Sequence, residues 1–147
     1  MLVAAAAGVP VTIDASAVAA WLLPDEASAA ADRLYAEALQ TAGAFQAPAL
    51  FAWETGNLLA MAHRRGRITS AHAGAALKIL TRAAVRLEGV PDERRLHAML
   101  DLARTHRLTV YDASYLEQAL RTGARLATKD ADLKREAAKA GVDCLDL

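Results

Sequence analysis

Apolar positions along this chain alternate between short continuous runs and stripes at helical spacing. Val9, Pro10, Val11, Thr12 and Ile13 form a β-type run that ends on Asp14, and a short helix from Ser16 to Leu23 is stopped by Pro24. In the next helix Ala31, Leu34, Tyr35, Ala38 and Leu39 recur on one face, with Gly43 beyond its end. Phe45 to Ala47 reads as a brief strand, and Pro48 leads into a helix that reaches about Arg65, before Gly66. Thr69 is placed to cap a helix running to about Ala84, and Val85 to Leu87 is a further strand. Pro91 and Asp92 open a helix whose stripe is Leu96, Met99, Leu100 and Ala103. Asp112 then begins a helix that Gly123 ends, Arg125 to Thr128 is a strand, Asp132 begins a helix that Gly141 ends, and Val142 to Leu145 closes as a strand.

Such alternation predicts an α/β fold with a central parallel sheet flanked by helices. No repeat or linker divides the 147 residues, so one domain over 1–147 with one core is expected, residues 1–8 being a loosely ordered start. Trp21, Trp53, Leu22 and Leu23 are expected in that core. Lys plus Arg and Asp plus Glu each total 17, so no overall positive charge announces a nucleic-acid binder, although His63, Arg64, Arg65 and Arg67 cluster locally. Cys144 is the only cysteine, which excludes an intrachain disulfide and fits a reduced, cytoplasmic setting. The apolar start at Met1 to Val11 lacks a basic n-region and falls short of the ~20 residues of a membrane span, so neither signal peptide nor anchor is read there.

Candidate chemistry lies in the acids. Asp14 follows a strand and precedes a helix, the crevice edge where open parallel sheets bind ligands, though a plain helix cap explains it equally. Asp112 and Asp132 also have the cap explanation; Asp130, directly after the strand ending at Thr128, has it less readily. Glu54 is different. Leu50, Asn57, Leu58 and Met61 share its helix face, so this carboxylate is expected on the buried stripe, where it needs a salt-bridge partner or a cation. His63, His72, His97 and His106 form no zinc-type pair, and ligands that are all oxygen suit Mg²⁺ or Mn²⁺. Such ions make a bound water nucleophilic and neutralise charge on phosphorus, which points to phosphodiester hydrolysis.

Four segments in this order and spacing resemble the PIN-domain family, and within it the small VapC-type toxins of toxin and antitoxin pairs. They are Ile13-Asp14-Ala15-Ser16, Glu54-Thr55-Gly56-Asn57-Leu58, Thr109 to Leu116 with Asp112 inside it, and Leu126-Ala127-Thr128-Lys129-Asp130. The resemblance covers nearly the whole chain. It implies a metal-dependent endoribonuclease in which Asp14, Glu54, Asp112 and Asp130 converge at the C-terminal ends of a parallel sheet and bind Mg²⁺ or Mn²⁺. Asp14, Asp112 and Asp130 would be ligands, with Asp132 sharing or replacing the part of Asp130, and Glu54 a ligand or water-positioning group. By the same resemblance Ser16, Asn57 and Thr128 orient ligands or phosphate, and Arg64, Arg65, Arg67 and Lys129 are candidate RNA contacts. A homodimer, a small antitoxin protein that covers the groove, and no membrane are implied as well.

Rival readings are fewer in features. A receiver or dehalogenase-like phosphoryl-transfer domain also has an aspartate after its first strand, but Ser16 stands where the dehalogenase pattern wants a second aspartate, and Glu54 would have no task. A PIN nuclease of RNA processing that is not a toxin, and a catalytically silent module that binds RNA or protein, are the remaining alternatives. All four acids are present, which speaks against the silent module.

Overall fold

The run before Asp14 is apolar enough to be covered on both faces, and it becomes an inner strand of the sheet. In the computed structural model, which describes residues 8–147, β1 (Val11–Ile13) is completely buried. It pairs in parallel with β2 (Phe45–Ala47) on one side and β4 (Arg125–Ala127) on the other, and β2 pairs in parallel with β3 (Arg86–Leu87). The order is therefore β3-β2-β1-β4. Strand order reverses between β1 and β4, and the crevice at their C-terminal ends is where a parallel sheet places ligands. Polar groups inside form a short network in which Thr12 Oγ1 donates to Gln118 Oε1 at 3.0 Å and Gln46 Nε2 donates to the hydroxyls of Thr12 and Thr122 at 3.2 and 2.7 Å, while Gln118 Nε2 is left without a partner.

Seven α-helices fill the connections: α1 (Ala15–Leu22), α2 (Ala29–Gln40), α3 (Leu50–Arg64), α4 (Ser70–Arg82), α5 (Glu93–His106), α6 (Val110–Thr122) and α7 (Ala131–Lys139), with a 3₁₀ turn at Pro24–Glu26. The α/β architecture expected from the alternation is the one observed. The expected loose start over residues 1–8 falls outside the described residues except for Gly8. Among the described residues no helix is long and apolar enough to cross a membrane.

Several local expectations are corrected. Helix α6 starts two residues before Asp112, because Thr109 Oγ1 accepts the Asp112 N–H at 3.1 Å and is the cap. Helix α7 is capped by Asp130 rather than Asp132, with Asp130 Oδ1 accepting the Leu133 N–H at 2.8 Å. The closing strand shrinks to one parallel bridge between Leu126 and Cys144. In α3 the buried stripe is Phe51, Thr55, Leu59 and Ala62, one position round from the face that holds Glu54. Thr55 can lie there because its hydroxyl donates to the Phe51 and Ala52 carbonyls at 2.8 and 3.1 Å. Of the α5 stripe only Met99 is buried, while Leu96 and Leu100 face outward. Trp21 packs on Tyr35 and Phe45 in the core beside Leu22 and Leu23, but Trp53 is 68% exposed.

The α6 cap gives a direct check. Replacing Thr109 with alanine should lower stability by about 1 kcal/mol in urea unfolding, whereas Asp112→Ala should show no such loss of a cap.

Candidate active site

Three of the four acids sit in first turns of helices that start at the C-terminal edge of the sheet. Asp14 caps α1, Asp130 caps α7, and Asp112 is the third residue of α6. Positive helix ends face these side chains, which favours negative charge there. Glu54 comes one turn later in its own helix, so no cap accounts for it.

Asp14 is buried and held on both oxygens. Its Oδ1 accepts the Ser16 hydroxyl at 2.5 Å and the Ala17 N–H at 3.1 Å; its Oδ2 accepts the Thr128 hydroxyl at 2.6 Å. These donors take three of the about four lone-pair sites a carboxylate offers. The same hydroxyls bind the neighbouring chain, since Ser16 Oγ accepts the Lys129 N–H at 2.8 Å and Thr128 Oγ1 accepts the Asp130 N–H at 3.0 Å. Ser16, Thr128, Asp14 and the start of α7 are thus one hydrogen-bonded unit, fixed further by the Asp14 N–H donating to the Ala127 carbonyl at 3.1 Å. Glu54 is half-buried and accepts the Tyr115 hydroxyl at 2.5 Å.

Burial and mutual repulsion act together on the titration of these groups. Burial pushes the Asp14 carboxyl up, the hydroxyls of Ser16 and Thr128 and the Ala17 N–H oppose this, and the charge of Asp130 adds to it. Burial also pushes Glu54 up, against the Tyr115 hydrogen bond and together with Asp14 and Asp112. Asp112 is raised by burial, then by Asp130 and Asp14. Among the described residues no Lys, Arg or His lies within salt-bridge distance of these four acids.

Other sequence candidates lie elsewhere. Asp132 is 74% exposed in its side chain and paired with Arg135 at 2.8 Å, yet its charge still acts on Asp112, so it borders the crevice from the solvent side. Asn57 is exposed on α3. Arg64 ends the same helix about ten residues beyond Glu54, so about 15 Å along the axis at 1.5 Å per residue. Arg67 is committed to Asp25 at 2.8 Å and Glu26 at 2.9 Å, in the turn at the far end of α1. The basic cluster of Arg64, Arg65 and Arg67 is therefore at the opposite end from the acids, and Lys129, exposed beside Asp130, is the basic candidate next to them. The histidines are spread out: His63 meets Ser70, His72 the Leu22 carbonyl, His97 Glu93 and His106 Glu136. Tyr115 was missed as a contact of the acids; its spacing of three from Asp112, which sets both on one helix face, was the available signal.

The sequence profile of the PIN domain matches residues 11–139, from β1 to the end of α7. The chain belongs to the PIN-domain family. This PIN-domain chain is 33% identical over 121 residues to Ribonuclease VapC3 of Pyrobaculum aerophilum, an alignment that covers 82% of this chain and 89% of the relative. Its fold is similar to the crystal structure of PAE2754 from the same organism, with a TM-score of 0.63, 28% identity, and coverage of 87% and 86% of the two chains.

The raised acids set the sign of a pH effect. Because Asp14, Glu54 and Asp112 bind protons more readily folded than unfolded, stability falls as pH rises from the ordinary carboxylate range through their raised values. At about pH 7.5, without divalent cations, Asp112→Asn and Glu54→Gln should each raise the melting temperature by a few degrees, roughly the effect of ~1 kcal/mol. The gain should vanish near pH 4. Added Mn²⁺ should raise the wild-type melting temperature and do less for either variant; equal melting at both pH values and no response to Mn²⁺ would contradict the crowding.

Proposed function

We propose that this PIN-domain chain is a divalent-cation-dependent endoribonuclease, the toxin of a VapC-type toxin and antitoxin pair. The observation that carries the reading is the group of Asp14, Glu54, Asp112 and Asp130, crowded at the crevice with no salt bridge to any of them among the described residues. A donor set of carboxylate and hydroxyl oxygens fits Mg²⁺ or Mn²⁺ rather than zinc. Among the described residues no three acidic, His or Cys side chains converge into a ready-made cage. Mg²⁺ does not need one, since it keeps several waters and binds through one or two carboxylates with phosphate oxygens of the substrate.

In this reading Asp14, Asp112 and Asp130 hold the cation, and Ser16 and Thr128 keep the Asp14 carboxylate in its orientation. Asp130 divides its oxygens: Oδ1 caps α7, and Oδ2 is left for the crevice. Glu54 positions a water through the oxygen that Tyr115 does not occupy. The cation supplies a nucleophilic water and offsets charge on the phosphate. Lys129 is placed to meet a backbone phosphate of RNA. The similarity to a protein named a ribonuclease supports RNA as the substrate. Excess chelator and Asp14→Asn should each abolish RNA cleavage while circular dichroism is unchanged. The loss from Asp14→Asn should exceed the about 10–100-fold typical of removing a ligand's supporting partner; full activity in excess chelator would sink the proposal.

The homodimer belongs to the same reading. Trp53, Val90, Leu96 and Tyr111, all exposed, border an apolar groove of about 270 Å³ between α3, α5 and the start of α6. An apolar face of this kind marks a protein contact, and a second copy of the chain is its proposed occupant. Light scattering should give a dimer for the wild type and a monomer for Leu96→Glu; a wild-type monomer at every concentration would remove this part.

A further inference from the structure

Tyr115 is 1% exposed, and its hydroxyl crosses from α6 to α3 to donate to Glu54 Oε1 at 2.5 Å. Among the described residues this is the side-chain hydrogen bond that Glu54 makes, and no cation lies within salt-bridge distance of it. We propose that Tyr115 is a positioning residue for the nuclease reaction, its phenol pinning one oxygen of Glu54 so that only Oε2 serves the water or cation in the crevice. This rests on the nuclease reading above.

Three features support the assignment. A glutamate on a half-buried helix flank has three rotatable side-chain bonds and would sample several rotamers, whereas a bond to a buried phenol selects one. The phenol itself is rigidly backed, since every residue from Ala113 to Ala119 on α6 is buried. Finally, Asp112 and Tyr115 stand three apart on one helix, so the bond ties the acid of α3 to that of α6 in a fixed relation. Burial and the charges of Glu54, Asp14 and Asp112 push the phenol's titration upward, so it remains a donor. Oδ2 of Asp14, held by Thr128, is a parallel case in which a buried hydroxyl sets the orientation of an acid.

A purely structural tyrosine would behave differently from a positioning one. The test measures RNA cleavage with saturating Mn²⁺, and Mn²⁺ binding by calorimetry, for wild type, Tyr115→Phe, Glu54→Gln and the double variant. Tyr115→Phe should lower kcat and Mn²⁺ affinity by about 10–100-fold, with KM for RNA unchanged within about twofold. In the Glu54→Gln background the same change should add little, because the oxygen it positions is already altered. Wild-type kcat and Mn²⁺ affinity in Tyr115→Phe, or effects that multiply fully with those of Glu54→Gln, would overturn the proposal. Should Tyr115→Phe fail to fold, Glu54→Asp decides the matter with Tyr115 intact. It withdraws the carboxylate from the phenol by one methylene, so a loss of similar size supports positioning and full activity overturns it. Wild-type protein that binds Mn²⁺ but cuts no RNA removes the nuclease reading and leaves the calorimetric comparison to decide on Tyr115; wild type that neither cuts nor binds removes both.

Discussion

Negative charge confined to one edge of a parallel sheet is the constraint around which this molecule is organised. Asp14, Asp112 and Asp130 repel one another, Glu54 adds to the repulsion, and burial raises the penalty on the charged forms of Asp14, Glu54 and Asp112. A fold that only needed stability would neutralise such a cluster with lysine or arginine, and this chain has many: Arg67 serves Asp25 and Glu26, Arg121 serves Glu88 and Glu117, and Lys139 serves Glu136. Among the described residues none makes a salt bridge to the acids of the crevice. The acids are steadied instead by hydroxyls, backbone N–H groups and helix N-termini, which hold an anion without cancelling its charge. In the proposed function that uncancelled charge is what receives a cation from outside.

Helix capping and the proposed ligand binding are not competing explanations. Asp14 and Asp130 are both true caps, and the cap geometry is what aims them, since the bond to the third helical N–H fixes the side chain at the sheet edge. Ser16 and Thr128 then couple α1 to α7, so that the two acids are set in one unit across the β1 to β4 reversal. Stability at the helix ends and order at the crevice come from the same hydrogen bonds.

How much of this could be read from the residues varies with how local each signal is. The strand before Asp14, the strand that leads to Thr128 and the helices between them follow from periodicity and from Pro and Gly stops, and the parallel sheet follows from their alternation, whereas the strand order β3-β2-β1-β4 is seen only in the structure. Errors arose where a one-residue difference decides a face or a cap. Thr109 and Asp112 are both good caps, as are Asp130 and Asp132, and only the backbone geometry chooses. On α3 two stripes compete, and the one with Phe51 and Leu59 wins because Thr55 can bond its own helix carbonyls. Leu96, Leu100 and Trp53 have the apolar character of core residues, yet the fold of the single chain leaves them exposed. The arginines after His63 are candidate RNA contacts by charge alone, and the length of α3 carries them away from the acids. Tyr115 was hidden because its partner lies 61 residues away.

Manganese anomalous scattering from crystals grown with Mn²⁺ examines most directly whether these acids share a cation. One or two peaks should appear in the crevice bounded by Asp14, Glu54, Asp112 and Asp130, with the Tyr115 to Glu54 and Thr128 to Asp14 hydrogen bonds intact, and they should be lost in Asp14→Asn. An empty crevice at saturating Mn²⁺, or density only at the exposed Asp132, would contradict it.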